Sequence, residues 1–118
     1  MKSDFPEYEK MRYEAIIKKD IKWLKINLDN KYTHLHSNGV IEKKDLYLKN
    51  ISSDNIKFKI MEPLDWEIRE DSRFIFITGL SNFKLHYCEK FLDLKLIYHS
   101  IWKLDLSPKC FSWQATKV

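Results

Sequence analysis

The chain contains little of what several classes of protein require. Its 118 residues include only two glycines, two cysteines and three prolines. Two glycines are too few for a turn-rich all-β barrel, and no glycine-rich loop that would cradle a phosphate group is present. Cys88 and Cys110 form no Cys-x-x-Cys motif, which excludes zinc-finger chemistry, and we interpret both as buried thiols.

Arginine is also scarce. The 21 basic and 17 acidic residues give a net charge of +4, but only Arg12, Arg69 and Arg73 are arginines. Arginine is the residue that best recognises bases and phosphates through paired hydrogen bonds. The lysines are interleaved with acids, as in EKMRYEAIIKKD, and form no basic block. Specific nucleic-acid binding is therefore not expected.

Long apolar runs are missing as well. No run approaches the roughly 18 residues that a membrane-spanning helix needs. The opening MKSDFPEYEK has acids where a signal peptide would be apolar, so we expect a cytoplasmic protein with no membrane partner. A content of 44% hydrophobic and 32% charged residues predicts a single packed domain over residues 1–118.

Helical spacing dominates the first half of the chain. Glu9 is assigned to the polar side of a first helix, and the apolar face is assigned to Tyr8, Met11, Ala15 and Ile16. Asp20 is suited to cap a second helix that ends near Asn30. The apolar residues assigned to its buried side extend to Leu28. The segment EKKDLYLKNI predicts a third helix, whose buried side is assigned to Leu46, Tyr47, Asn50 and Ile51.

After Asn55 the apolar period changes from helical to two residues. Ile56, Phe58 and Ile60 alternate with lysines, which predicts a strand, and Pro63 predicts a bulge or bend. The segments RFIFITGLSNFKLHYC and KFLDLKLIYHSIWKLDL predict antiparallel strands joined by hairpins. The core face of the second segment is assigned to Leu92, Leu94, Leu96, Tyr98, Trp102 and Leu104.

The opposite face of this segment predicts a partner. Ile97, His99 and Ile101 form an apolar centre between charged strand ends. Such a patch is typical of a sheet face that another chain covers. We therefore expect a homodimer.

The segment YTHLHSNGVIEKK carries the candidate chemistry. Tyr32, His34 and His36 alternate and would point to the same side of a strand, and the Asn38–Gly39 pair predicts a tight turn. A metal site needs at least a third ligand, and the nearest acid, Glu42, lies beyond the turn. No metal and no cofactor is therefore predicted, and the histidines are interpreted as structural or pocket-lining residues.

Two motifs resemble those of a known family. HLHSNG followed by KKDLYL resembles the Y-x-H-S-N-G … K-x-x-Y-L signature of small bacterial members of the nuclear-transport-factor-2-like superfamily. The ending IWKLDLSPKCFSWQATKV resembles their terminal W … W-x-x-x-x-W-Q-A-T pattern. The matching positions are His36, Ser37, Asn38, Gly39, Trp102, Trp113, Gln114, Ala115 and Thr116, whereas His34 stands where a tyrosine is usual.

The resemblance covers nearly the whole chain and implies a fold. The expected fold is an α+β cone in which three N-terminal helices pack on a strongly curved antiparallel sheet. The subgroup is mostly of unassigned function and is sometimes labelled polyketide-cyclase-like. The superfamily also includes ketosteroid isomerase, scytalone dehydratase and plain binding modules, so the fold alone does not define an activity.

Two functions are expected from these observations. The first is a homodimeric interaction module, or one that binds a small apolar molecule in a pocket between sheet and helices. Its expected ligand-binding residues are Tyr32, His34, His36, Asn38, Tyr98, Trp102 and Trp113. The alternative is a His-dependent isomerase, dehydratase or cyclase acting on a steroid- or polyketide-like substrate. His36 is its expected catalytic base, because the strands supply no evident carboxylate partner in an apolar setting.

Overall fold

The computed structural model describes residues 3–118, which form three helices and six strands. In chain order these are α1 (Glu7–Lys18), α2 (Ile21–Asn27), β1 (Leu28–Leu35), β2 (Ile41–Lys43), α3 (Lys44–Ser52), β3 (Ile56–Asp71), β4 (Phe74–Tyr87), β5 (Lys90–Leu104) and β6 (Pro108–Lys117). No helix in this range is long and apolar enough to cross a membrane.

Local signals set the first helix boundaries. The chain leaves α1 at Lys19, which adopts the left-handed conformation with φ of 54°. Asp20 then accepts a hydrogen bond from the backbone N–H of Trp23 at 3.0 Å and caps α2, as predicted. The predicted end of the second helix near Asn30 was wrong, because α2 ends at Asn27 and Leu28 already begins β1.

The six strands form one sheet in the order β2-β1-β6-β5-β4-β3. Neighbouring strands are antiparallel except for β1 and β6, which pair in parallel. The pairing of β3 with β4 shifts register between Pro63 and Asp65, which confirms the predicted irregularity at this proline. The predicted α+β class, with three helices on a curled and largely antiparallel sheet, is confirmed.

The buried faces of two helices differ from the predicted ones. In α1, Glu9 and Arg12 are buried with Tyr13, Ala15 and Ile16, while Met11 is 41% exposed. The assignment of Glu9 to the polar side was therefore wrong, because polar partners inside the core satisfy its carboxylate. In α3, Leu46 and Asn50 are exposed and the buried residues are Tyr47, Leu48 and Ile51.

The predicted alternation of β5 is confirmed. Leu96, Tyr98 and Trp102 are buried on the inner face, while Ile97 and His99 are exposed on the outer face. The cysteines are not alike, since Cys110 is fully buried but Cys88 is exposed in the turn after β4. The interpretation of Cys88 as a buried thiol was therefore wrong.

Candidate functional site

A cavity of about 530 Å³ lies between the helices and the inner face of the sheet. Its volume falls within the range of sites that bind small molecules. Most of its wall is apolar, with contributions from Ile16, Ile51, Phe58, Phe83, Leu94 and Leu96. Polar side chains gather at one end, where β1 and β2 meet α3: His34, His36, Glu42 and Asn50.

The residues expected to bind a ligand separate into two groups. The cavity wall includes His34, His36, Asn38 and Trp113. Tyr32, Tyr98 and Trp102 are at most 1% exposed and lie in the core behind that wall. Asn38 has a local role, because its side-chain oxygen accepts a hydrogen bond from the backbone N–H of Val40 at 3.0 Å. Ligand binding by these residues stays a prediction.

Glu42 links His36 to α3. The turn before β2 is made by Gly39, whose φ of 87° favours glycine, and it brings Glu42 opposite His34 in the β1–β2 pair. The Glu42 carboxylate accepts hydrogen bonds from Nε2 of His36 and from the side-chain amide of Asn50. The expectation that His36 has no carboxylate partner was therefore wrong. Glu42 lies beyond the turn in the sequence, but the β1–β2 hairpin brings its carboxylate next to His36.

This pairing defines the chemistry that His36 can perform. The Glu42 side chain is 5% exposed, whereas that of His36 is 38% exposed at the cavity. Because Nε2 donates to Glu42, Nδ1 is the ring nitrogen that keeps a lone pair in the neutral imidazole. A carboxylate behind a histidine orients the ring and stabilises its protonated form. His36 is thus equipped to accept a proton.

His34 lies deeper and is held differently. Its Nδ1 is 2.6 Å from the hydroxyl of Tyr32, and its ring stacks on Tyr47 at 4.4 Å and on Trp113 at 5.4 Å between centroids. Burial, with smaller contributions from nearby Arg12 and His36, lowers the pKa of His34 well below its ordinary value. His34 is therefore neutral at physiological pH.

A buried charged pair lies beneath these rings and was not anticipated. Glu9 is fully buried and contacts Arg12 at 3.4 Å, and the guanidinium lies over the ring of Trp113 at 4.8 Å. One Arg12 nitrogen also donates to the hydroxyls of Tyr32 at 3.2 Å and Tyr47 at 3.4 Å. The positions of Glu9, Arg12, Tyr13 and Ile16 share one helical face, and this spacing is the sequence signal that could have indicated the pair.

Burial keeps both tyrosines protonated, although the nearby Arg12 acts in the opposite direction. Burial raises the pKa of Tyr32 well above its ordinary value, and it raises the pKa of Tyr47 to about 12. Within residues 3–118, no group of three or more His, Cys, Asp or Glu side chains could hold a metal ion. The arrangement thus offers neutral hydrogen-bonding groups and one histidine with a carboxylate partner, at one end of an apolar cavity.

Comparisons with known proteins identify the fold. No protein-family model matches the sequence, and no curated protein matches it. An NTF2-like protein from Cytophaga hutchinsonii is 25% identical with a TM-score of 0.89, over 95% of this chain and 93% of that one. An NTF2-like protein of unknown function in nutrient uptake from Rhodospirillum rubrum is 16% identical with a TM-score of 0.90. The match covers 98% of this chain and 99% of that one.

More distant structures share the same architecture. The CaMKII hub of S. rosetta is 13% identical with a TM-score of 0.73, over 95% of this chain and 92% of the hub. Other neighbours are described as having a cystatin-like fold. The chain therefore has the NTF2-like, cystatin-like cone fold that its motifs predicted. The assignment to a polyketide-cyclase-like subgroup stays a prediction.

Proposed function

We propose that the protein is a homodimeric binding module that takes a small, largely apolar molecule into the cavity between sheet and helices. The observation that carries this proposal is the composition of the wall, which is mostly apolar and has its paired polar side chains His36, Glu42 and Asn50 at one end, next to His34. Such a cavity favours an apolar body, because burial removes that body from water, while a few polar groups orient it.

Native mass spectrometry of protein purified from its source cell tests the proposal. We expect a bound small molecule, and its mass would identify it. Ala115 lines the cavity, so Ala115→Phe should fill part of the space and remove the molecule. The matched control is Lys117→Phe at the exposed end of β6, which should retain it. An empty wild type that also binds no apolar compound in a thermal-shift screen would contradict the proposal.

The outer face of the sheet supports the homodimer. Ile97 is 50% exposed there, and the strand register places Leu80 opposite Ile97 and Phe76 opposite Ile101. A second copy would cover this apolar centre. The presence of a hub among the structural neighbours also favours self-association of this fold.

A second candidate function is favoured by the pairing of Glu42 with His36. In this alternative the protein is a His-dependent isomerase, dehydratase or cyclase acting on a steroid- or polyketide-like substrate. Nδ1 of His36 would accept a proton from a carbon next to a substrate carbonyl, and Glu42 would stabilise the resulting imidazolium.

An assay for substrate turnover distinguishes the binding module from the enzyme. A panel of ketosteroids, epoxides and hydroxyketones should bind without reacting if the protein is a binding module. Catalysis would instead give turnover with a pH profile near the imidazole pKa, which His36→Gln and Glu42→Gln abolish while ligand affinity is retained. That result would establish the enzyme and overturn the simple binding function.

A further inference from the structure

The position of one proton follows from the hydrogen bonds around Tyr32. Arg12 donates to the Tyr32 oxygen at 3.2 Å, and Nδ1 of His34 lies 2.6 Å from the same oxygen. If Nδ1 carried a proton, the buried Tyr32 hydroxyl would accept two hydrogen bonds and have no acceptor for its own proton, which is costly. Tyr32 therefore donates to Nδ1, and the neutral His34 ring carries its proton on Nε2.

The same ring has one edge left for the cavity. His34 is 7% exposed, its faces are covered by the stacked rings of Tyr47 and Trp113, and Tyr32 occupies the Nδ1 side. His34 nevertheless lines the cavity beside His36, whose ring centroid lies 4.5 Å away, and we assign to the cavity the edge of the His34 ring that carries Nε2. Within the part of the chain that the structure describes, this N–H has no hydrogen-bond partner, and an acceptor on a ligand would satisfy it.

The charges around His34 select a neutral acceptor. Arg12 of α1 is also part of the cavity lining, but it is only 1% exposed and the buried Glu9 carboxylate at 3.4 Å balances its positive charge. The Glu42 carboxylate of β2 lines the same end of the cavity and repels an anion. His36, which directly follows β1, and the protonated Tyr47 and the amide of Asn50 on α3 also lie at this end. A ligand that carries its own negative charge is therefore disfavoured, whereas an uncharged oxygen on an apolar body is complementary to the site.

We propose that the cavity selects neutral, apolar carbonyl compounds, such as ketones or esters, whose oxygen accepts a hydrogen bond from the Nε2–H of His34. This inference rests on the proposed binding function and names the chemical class of its ligand. It also gives a specific role to the residue at which this chain departs from the tyrosine usual in the motif. Tyr32 acts as a positioning residue, because its hydroxyl sets the tautomer.

Three naphthalene derivatives of similar shape test the inference by calorimetric titration: acetylnaphthalene, ethylnaphthalene and naphthoate. The ketone should bind the wild type more tightly than either the hydrocarbon or the carboxylate. His34→Phe keeps a flat ring between Tyr47 and Trp113 but removes the donor. It should weaken ketone binding by about five- to tenfold, the usual effect of one net hydrogen bond, and leave the hydrocarbon unchanged.

Two spectroscopic measurements on the wild type do not depend on the variant folding. Nitrogen NMR of His34 should show a protonated Nε2 and an unprotonated Nδ1. The infrared carbonyl band of bound acetylnaphthalene should lie at lower frequency than that of the free ketone in an apolar solvent. The opposite tautomer, or an unshifted band, would overturn the inference.

The outcomes of the titration also distinguish the two proposals. If ketone and hydrocarbon both bind the wild type but show equal affinity, or equal sensitivity to His34→Phe, the cavity binds apolar molecules without using His34. Preferred binding of naphthoate would likewise reject the neutral carbonyl as the ligand class. If none of the three binds, the inference fails, whereas the proposed binding function fails only if the wild type is also empty in the native mass spectrum and binds no compound in the thermal-shift screen.

Discussion

Glu9 and Trp102 lie 93 positions apart in the sequence, and the indole N–H of Trp102 donates to the Glu9 carboxylate at 2.5 Å. Ser100 and Trp113 donate to the same carboxylate at 2.8 and 3.1 Å. These bonds join α1 to the inner face of β5 and β6. They also hold Arg12 in place, and with it the hydroxyls of Tyr32 and Tyr47 beneath the cavity.

Replacing Glu9 should therefore destabilise the whole fold. Glu9→Gln preserves the shape but removes the charge that neutralises Arg12, which is 1% exposed. An uncompensated buried charge typically costs about 3–5 kcal/mol, so we expect a decrease of that size in the free energy of unfolding. Urea denaturation measures it. The control is Glu14→Gln on the exposed side of α1, which should change stability by less than about 0.5 kcal/mol. Equal effects of the two variants would contradict this account.

His34 should make stability depend on pH on the acidic side. The unfolded chain protonates this histidine near about pH 6.5, whereas burial keeps the folded-state pKa well below that value. Above this pH both states are neutral and His34 contributes no pH dependence. Below it the unfolded state binds the extra proton, so stability should fall as pH decreases, by up to about 1.4 kcal/mol per pH unit, until the folded-state pKa is reached.

Urea denaturation of the wild type and of His34→Phe across this range isolates the effect. The other histidines are common to both proteins, so the difference between the two curves reports His34. The difference should be constant above the unfolded-state pKa and should change below it. Parallel curves throughout the acidic range would show that His34 is not buried as a neutral ring.

Gly79 should not accept a side chain. A Cβ atom there would lie 2.7 Å from the carbonyl oxygen of Asp65 and 2.7 Å from the ring of Tyr98. Gly79→Ala should destabilise the protein by about 1–3 kcal/mol, as overpacking usually does, and lower its melting temperature. The exposed neighbour Thr78→Ala provides the comparison on the same strand. An unchanged melting temperature for Gly79→Ala would mean that β3 and β5 leave more space around this residue.

Self-association should depend on the outer face of β5. Light scattering at micromolar concentration should give twice the chain mass of 14.4 kDa, and Ile97→Asp or Ile101→Asp should reduce it to that of the monomer. Ile26→Asp is the matched control, because Ile26 is 56% exposed on α2. A wild type that is monomeric at this concentration would refute the dimer.

The purified protein should carry no stoichiometric metal. Nδ1 of His34 is hydrogen-bonded to Tyr32, and Nε2 of His36 is hydrogen-bonded to Glu42. Two of the four ring nitrogens are therefore already engaged and not free to bind a metal. Elemental analysis decides the point. One equivalent of zinc, iron or copper that disappears in the His34→Ala, His36→Ala double variant would identify a metal site instead.

The parts of the fold that follow from local sequence were predictable. Asp20 caps α2, because its side chain needs only the N–H three residues later. Leu96 and Ile97 face opposite sides of β5, because side chains in a strand must alternate. The order of helices and strands and the two motifs indicated the cone fold because they resemble those of a known superfamily.

The site itself depends on contacts between residues far apart in the chain. In the sequence, Glu9 has the character of a surface residue. In the folded protein it is buried, because Ser100, Trp102 and Trp113 of β5 and β6 donate hydrogen bonds to its carboxylate. Glu42 becomes the partner of His36 only when the β1–β2 hairpin closes. The sequence by itself determined the alternation of side chains along β5, the Asp20 cap of α2 and the turn at Gly39. The tertiary structure decided which polar groups are buried, because a charge can leave water only where the folded chain brings it a partner.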